Sequence, residues 1–164
     1  MKNSLRFILL FFAILQTTSL AAQERYTVKA GDPNGISKWY MGRQIAQVMS
    51  HYGIGWLERE EREQEENTTQ LLKNLAVQPG QVIADIGAGS GYHSTLLAKM
   101  VGNGKVYAVD VEREMIAYLT NRIKREGKKN IIPVLGTEKA VSLPANSMDM
   151  MLLVDVYHEF SFPY

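Results

Sequence analysis

The stretch VIADIGAGSGYHS, Val82 to Ser94, holds the residues of this chain whose types and spacing speak most directly of chemistry. An apolar run ends in Asp85 and opens into Gly87, Gly89 and Gly91, the pattern of a strand feeding a tight turn into a helix. Such a turn suits a nucleotide cofactor, because glycine lets the backbone pass close to a ligand and the helix start offers unbonded amides. Two cofactors compete for it. A nicotinamide fingerprint reads G-x-G-x-x-G, its third glycine allowing close packing of helix on strand, and Tyr92 occupies that third position here. An acidic residue two before the first glycine is instead placed to receive a cationic amino group, directly or through water, while the helix start favours a carboxylate. This arrangement favours the amino-acid-bearing cofactor S-adenosylmethionine over NAD. The next apolar run, VYAVDVE, puts Asp110 at the lip of a second strand, where its two oxygens can accept bonds from both ribose hydroxyls. Either cofactor wants that residue, so the glycine spacing does the discriminating.

These residues need a frame, and the sequence from Pro79 onward alternates regularly. Val82 to Ile86 reads as a strand, Tyr92 to Val101 as a helix ended by Gly102, and Val106 to Val109 as a second strand. Glu112 to Glu126 is a helix with Ile116, Leu119 and Ile123 on one face, stopped by Gly127. Ile131 to Leu135 and the continuous apolar Met150 to Val154 are the third and fourth strands. Strands apolar on both faces, separated by amphipathic helices, predict an α/β fold: a Rossmann-like parallel sheet with helices on both faces.

Upstream, SKWYMGRQIAQVMSHYG spaces Trp39, Ile45, Val48 and Met49 at roughly helical intervals and predicts an N-terminal helix, preceded by a loop over Glu24 to Gly35. WLEREEREQEEN follows, with Glu58 and Arg62, and Arg59 and Glu63, four apart for pairing along a helix. Such a segment is either a solvated helical face or a lid folded back across the glycine loop. Asn67 or Thr68 can cap the next helix, which carries Leu71, Leu72 and Leu75.

The first residues have a different character. Lys2 and Arg6 precede the uninterrupted apolar run Phe7 to Leu15, and small residues follow at Ser19 and Ala21, which matches a cleavable signal peptide. The run is short for a membrane span, which takes about 20 apolar residues. The chain thus divides into a signal peptide (1–21), an N-terminal loop and helical extension (22–77) and a cofactor-binding domain (78–164). Export to the periplasm or medium is expected, with no stable membrane anchor after cleavage; an uncleaved leader would leave the chain cytosolic or membrane-anchored. Removing 1–21 takes away Lys2 and Arg6, so 18 basic residues against 17 acidic become 16 against 17. A chain this near neutrality lacks the positive surface that nucleic acid requires. The absence of cysteine excludes disulfides, thiolate metal sites and cysteine nucleophiles.

VIADIGAGSGYHSTLLAK, VYAVDVEREMIAYL and LPANSMDMMLLVDVYHEF, in that order, resemble the class I S-adenosylmethionine-dependent methyltransferases, closest to the methyltransferase type 11 group. The resemblance covers about Gln78 to Tyr164, and MGRQIAQVMSHYGIGWLEREEREQEE looks like the leader of a subgroup. It implies that Asp85, Gly87, Gly89 and Gly91 line the methionine part of the cofactor, that Asp110 holds the ribose and that Val111 borders the adenine. An acidic residue after the third strand contacts the adenine amino group in that family; in GTEKAVSLP both Thr137 and Glu138 are candidates. Asp155 would face the cofactor near its methyl group, and Tyr157, His158 and Glu159 would face a small-molecule acceptor. The family sheet runs 3-2-1-4-5-7-6, which implies further strands beyond Tyr164 and an incomplete domain in this chain.

A sulfonium makes its methyl group electrophilic without protein help, so alignment of a nucleophile is the main task. His158 and Glu159 are the candidate catalytic bases for an acceptor that must lose a proton. No metal is expected: HEFSF fails the zinc pattern H-E-x-x-H, since Phe162 stands where the second histidine belongs. The basic group Arg122, Lys124, Arg125, Lys128 and Lys129 lies at a helix end, where cations complement the dipole. The function expected is therefore methyl transfer to a small molecule. The alternatives are an exported protein that keeps the fold for binding or structure without turnover, and a nicotinamide-dependent oxidoreductase.

Overall fold

The computed structural model describes residues 25–164. The expected leader, 1–21, lies outside the described residues. Three antiparallel strands come first: β1 (Tyr26–Val28), β2 (Gly35–Tyr40) and β3 (Arg43–Ala46). The helix expected from Ser37 onward is therefore corrected to two strands of a hairpin. Its turn, Met41-Gly42, has both residues at positive φ, 50° and 81°, as the two-residue turns that match strand twist require. Gly42 would also weaken a helix interior by about 1 kcal/mol relative to alanine. The spacing of Trp39, Ile45 and Val48 imitated a helix while the Met-Gly pair between β-prone runs was the decisive signal.

A 3-10 turn at His51–Gly53 leads into three short helices, α1 (Ile54–Leu57), α2 (Arg62–Glu66) and α3 (Thr68–Asn74). Asn67 separates the last two: at φ 50° it ends α2, and its side chain accepts from the Gln70 amide to cap α3.

The second sheet holds β4 (Val82–Ile86), β5 (Lys105–Asp110), β6 (Ile131–Leu135) and β7 (Met150–Leu152), all parallel, in the order β6-β5-β4-β7. Helix α4 (Tyr92–Val101) joins β4 to β5, and α5 (Arg113–Arg125) joins β5 to β6. Pro133, which cannot donate to a ladder, sits in the edge strand β6. Gly127 ends α5 at φ 65°, with Lys128 N–H bonded to Ile123 O and Gly127 N–H to Lys124 O, the paired bonds of a glycine-terminated helix.

One core joins Leu72 of α3, Leu97 and Val101 of α4 and Leu119 of α5 to Ile83, Val106, Ala108, Ile131 and Leu152 of the sheet. On the other side, Ala84, Ile86 and Val109 are covered by Val141, Leu143, Met148 and Phe160, chain that follows β6 and β7 rather than a helix. This is the Rossmann-like parallel sheet with flanking helices that the alternation predicts, except that irregular chain closes the second face where helices were expected on both. Among the described residues no helix is long and apolar enough to cross a membrane.

Candidate cofactor site

The parallel strands all point their carboxyl ends to one edge, and there the loops after β4, β5, β6 and β7 meet around a cavity of about 740 Å³. Its wall includes Asp85, Gly87, Gly89, Asp110, Val111, Thr137, Glu138, Asp155, His158 and Glu159. Of the residues expected to hold the cofactor, Gly91 alone lies outside it. Gly91 has φ 83° and caps α4, and a Cβ there would run into Leu119 of α5. It serves helix packing, the role that the third glycine of a nicotinamide fingerprint has one position later. Tyr157, expected to face the acceptor, is half exposed and lies outside this wall.

The loop after β4 is held by β5. The amides of Gly87 and Ala88 both donate to Val109 O, at 2.8 and 2.9 Å, and the Gly89 amide donates to Asp110 Oδ2 at 2.8 Å. Asp110 Oδ1 accepts the Glu112 amide at 2.9 Å, so this carboxylate ties the glycine loop to the start of α5. Each oxygen keeps a second lone pair for a ligand hydroxyl. Space along the loop is tight: a Cβ on Gly87 would collide with Val156, and one on Gly89 would stand 2.9 Å from Leu57.

Asp85 is 3% exposed, and its Oδ2 accepts from the Ser94 hydroxyl at 2.6 Å. Burial pushes its carboxyl up to about 6, against the pull of Ser94 and of the Arg62 charge. Burial also raises Asp110 and Glu159; a hydrogen bond from the Met49 backbone opposes the rise at Glu159, and Asp110 adds to it. Glu159 thus faces the Asp110 end of the cavity. His158 is more exposed, its Nε2 3.8 Å from Glu159 Oε1. Thr137 spends its hydroxyl on its own turn, accepting from the Ala140 amide at 3.0 Å.

Several wall residues come from the N-terminal segment, and sequence reasoning did not assign them to the site: Val48, Met49, Trp56, Leu57 and Arg62. Between a solvated face and a lid, the structure shows the lid. Glu58 Oε1 accepts from Ser90 Oγ within the glycine loop and from Arg122 Nη1, and Arg122 also bonds Ser90 O at 3.1 Å. Arg122 therefore leaves the solvated basic group of α5; burial works against its charge, and Glu126 and Glu58 outweigh it, raising its affinity for the proton. The charged pairs differ from the expected ones: Arg62 pairs with Glu66 at 2.8 Å, and Arg59 with Glu65 and Glu66 at 2.7 and 2.8 Å. His93 was likewise missed as a wall residue. It is buried, its Nε2 has no partner among the described residues, and burial lowers it to about 4, so the ring is neutral at pH 7.

The N-terminal sheet fixes the opposite wall. Lys38 Nζ donates to Ser161 O and lies 3.5 Å above the Phe162 ring, while Tyr26 meets Phe162 edge to face. His51 Nδ1 stands 3.2 Å from Glu112 Oε1, pinning the segment before α1 to the start of α5.

Residues 83–163 match the family model of a methyltransferase domain. The chain is similar to the protein-L-isoaspartate O-methyltransferase of Aeropyrum pernix, 35% identical over 79 residues that cover 48% of this chain and 30% of that protein. It is also similar to the tRNA (guanine(37)-N(1))-methyltransferase Trm5b of Pyrococcus abyssi, 36% identical over 83 residues, 51% of this chain and 24% of the relative. Among solved structures, a SAM-dependent methyltransferase from Aquifex aeolicus superposes with a TM-score of 0.66 at 32% identity, over 70% of this chain and 62% of that one. Coclaurine N-methyltransferase bound to N-methylheliamine and SAH shares the fold, with a TM-score of 0.51 at 22% identity over 61% of this chain and 30% of that chain. The chain spans 30 to 37% of the length of the first curated relatives it matches.

Proposed function

We propose that the chain, whose residues 83–163 match a methyltransferase domain, is a class I S-adenosylmethionine-dependent methyltransferase that binds S-adenosylmethionine and transfers its methyl group to a small-molecule acceptor. The observation that carries this reading is a single cavity with a buried carboxylate, Asp85, beside the glycine loop and a second, Asp110, at the end of the neighbouring strand. The first suits the ammonium of an amino acid and the second the two hydroxyls of a ribose. When bound, the cofactor supplies an electrophilic methyl group on its sulfonium.

The residues of the chain bind, orient and exclude water. Ionised Asp85 holds the ammonium while Ser94 fixes the rotamer of that carboxylate. Gly87 and Gly89 let the loop run close beneath Val156 and Leu57, where a Cβ would collide, and so hold its backbone in the cavity wall. Val111 borders the adenine, and Glu138, rather than the self-bonded Thr137, accepts from its amino group. Asp155, in the loop after β7, lines the cavity and faces the methyl group of the cofactor. For an acceptor that must lose a proton, Glu159 is better placed than His158: it is more buried, and burial raises its affinity for a proton above that of an ordinary carboxylate. Trp56 and Leu57 shield the site from water.

Purified chain, methyl-labelled S-adenosylmethionine and the small-molecule fraction of a cell extract test this reading. Label should move to a low-mass product. A chain that binds the cofactor and labels nothing would instead support a binding protein without turnover.

The pattern of Lys2, Arg6 and the apolar Phe7 to Leu15 run further supports export with loss of 1–21. The intact mass of the protein made with its own leader should then correspond to a chain beginning at Ala22; a chain beginning at Met1 in the cytosolic fraction would contradict it.

A further inference from the structure

Resting on that reading of the cavity, we infer that Arg62, on the N-terminal helix α2, is the site for the cofactor's carboxylate. The side chain is a buried cation, 4% exposed, in the wall of the cavity. Its Nε is committed to Glu66 and its Nη1 to Leu57 O, both at 2.8 Å, and its Nη2 makes no hydrogen bond among the described residues. A guanidinium presents its donors as a rigid planar fork, so the two committed bonds fix where the third group points. The guanidinium lies 4.3 Å from the centroid of the Tyr92 ring, the first residue of α4 after the glycine loop. Its charge acts on Asp85 and His93, whereas Asp110 at the other end is influenced by Glu112. Arg62 and Asp85 thus share the glycine-loop end.

That pairing suits an α-amino acid zwitterion, with carboxylate to guanidinium and ammonium to carboxylate. The helix start of α4 offers only amides, which leave a ligand's full negative charge without a counter-charge; Arg62 provides one. Glu66 is shared between Arg59 and Arg62, and Arg59 turns to the exposed Glu65 as well, so Arg62 is not closed off by a carboxylate of its own. The N-terminal extension then belongs to the cofactor site and recognises the part of the ligand that the glycine loop alone binds weakly.

Calorimetry with S-adenosylmethionine and with decarboxylated S-adenosylmethionine, which lacks only the carboxylate, isolates the interaction. Wild type should prefer the complete cofactor at least tenfold. Arg62→Met should reduce that preference to about threefold or less by weakening the complete cofactor, while affinity for the decarboxylated compound changes less than about twofold. Arg62→Lys, which keeps the charge and loses the fork, should fall between. Equal wild-type affinity for the two ligands, or an undiminished preference in both variants, overturns the inference. If Arg62→Met does not melt cooperatively, the wild-type ratio and Arg62→Lys decide. Wild type that binds neither compound would instead overturn the cofactor reading itself.

Discussion

Asp85 shows how a residue proposed to bind the cofactor can work against the fold that carries it. Its carboxyl is raised to about 6 by burial, above the unfolded value near 3.8, so protonated Asp85 stabilises the folded chain at low pH and that contribution is lost as pH rises through 6. Asp85→Asn, which can still accept from Ser94, should therefore raise the stability of the free protein at pH 7, by on the order of 2 to 3 kcal/mol. The gain should vanish below pH 4, as thermal melts across this range would show. The same change should weaken S-adenosylhomocysteine binding. In wild type that affinity should fall as pH drops below about 6, and in Asp85→Asn it should be flat. A residue with only a structural role would destabilise when altered and leave the binding profile unchanged. Asp110 differs, since it also ties Gly89 to Glu112. On the proposed reading, Asp110→Ala would remove two charge-assisted bonds to the ribose, each worth about 1.5 to 3 kcal/mol, and should weaken binding at least tenfold by calorimetry.

Among the elements, β4 to β6, α4 and α5 were legible almost to the residue because burial on both strand faces and on one helix face leaves a pattern that nothing else produces. The hairpin of β2 and β3 was not, since Ile45 and Val48 fit a helical period while the turn signal was only Met41-Gly42. The lid was legible as a charged helical segment, but its partners were not: Glu58 meets Arg122 and Ser90, which only the tertiary fold brings near. The glycines separate in the same way. Gly91 and Gly127 both have positive φ, yet a Cβ at Gly91 meets Leu119 and one at Gly127 meets open space. Gly127→Ala should cost about 1 kcal/mol, the conformational term alone. Gly91→Ala adds overpacking and should cost about 2 to 4 kcal/mol. Denaturant melts of the two variants compare them directly, and equal losses would place Leu119 wrongly.

At the scale of the whole molecule, the N-terminal sheet and lid are parts of the site. Lys38 and Tyr26 hold the segment carrying Ser161 and Phe162, while Leu57, Glu58 and Arg62 close over the glycine loop. The sheet positions Asp85 and Asp110 on adjacent strands, and the chain on either side of it encloses the space between them. Which cofactor fills that space is the claim on which the rest depends. Titration of the full chain with S-adenosylhomocysteine and, separately, with NAD, following heat, tests it most directly. The account predicts saturable binding of S-adenosylhomocysteine, lost at least tenfold in Asp110→Ala, and no binding of NAD; NAD binding as tight as that of S-adenosylhomocysteine, or tighter, would contradict it.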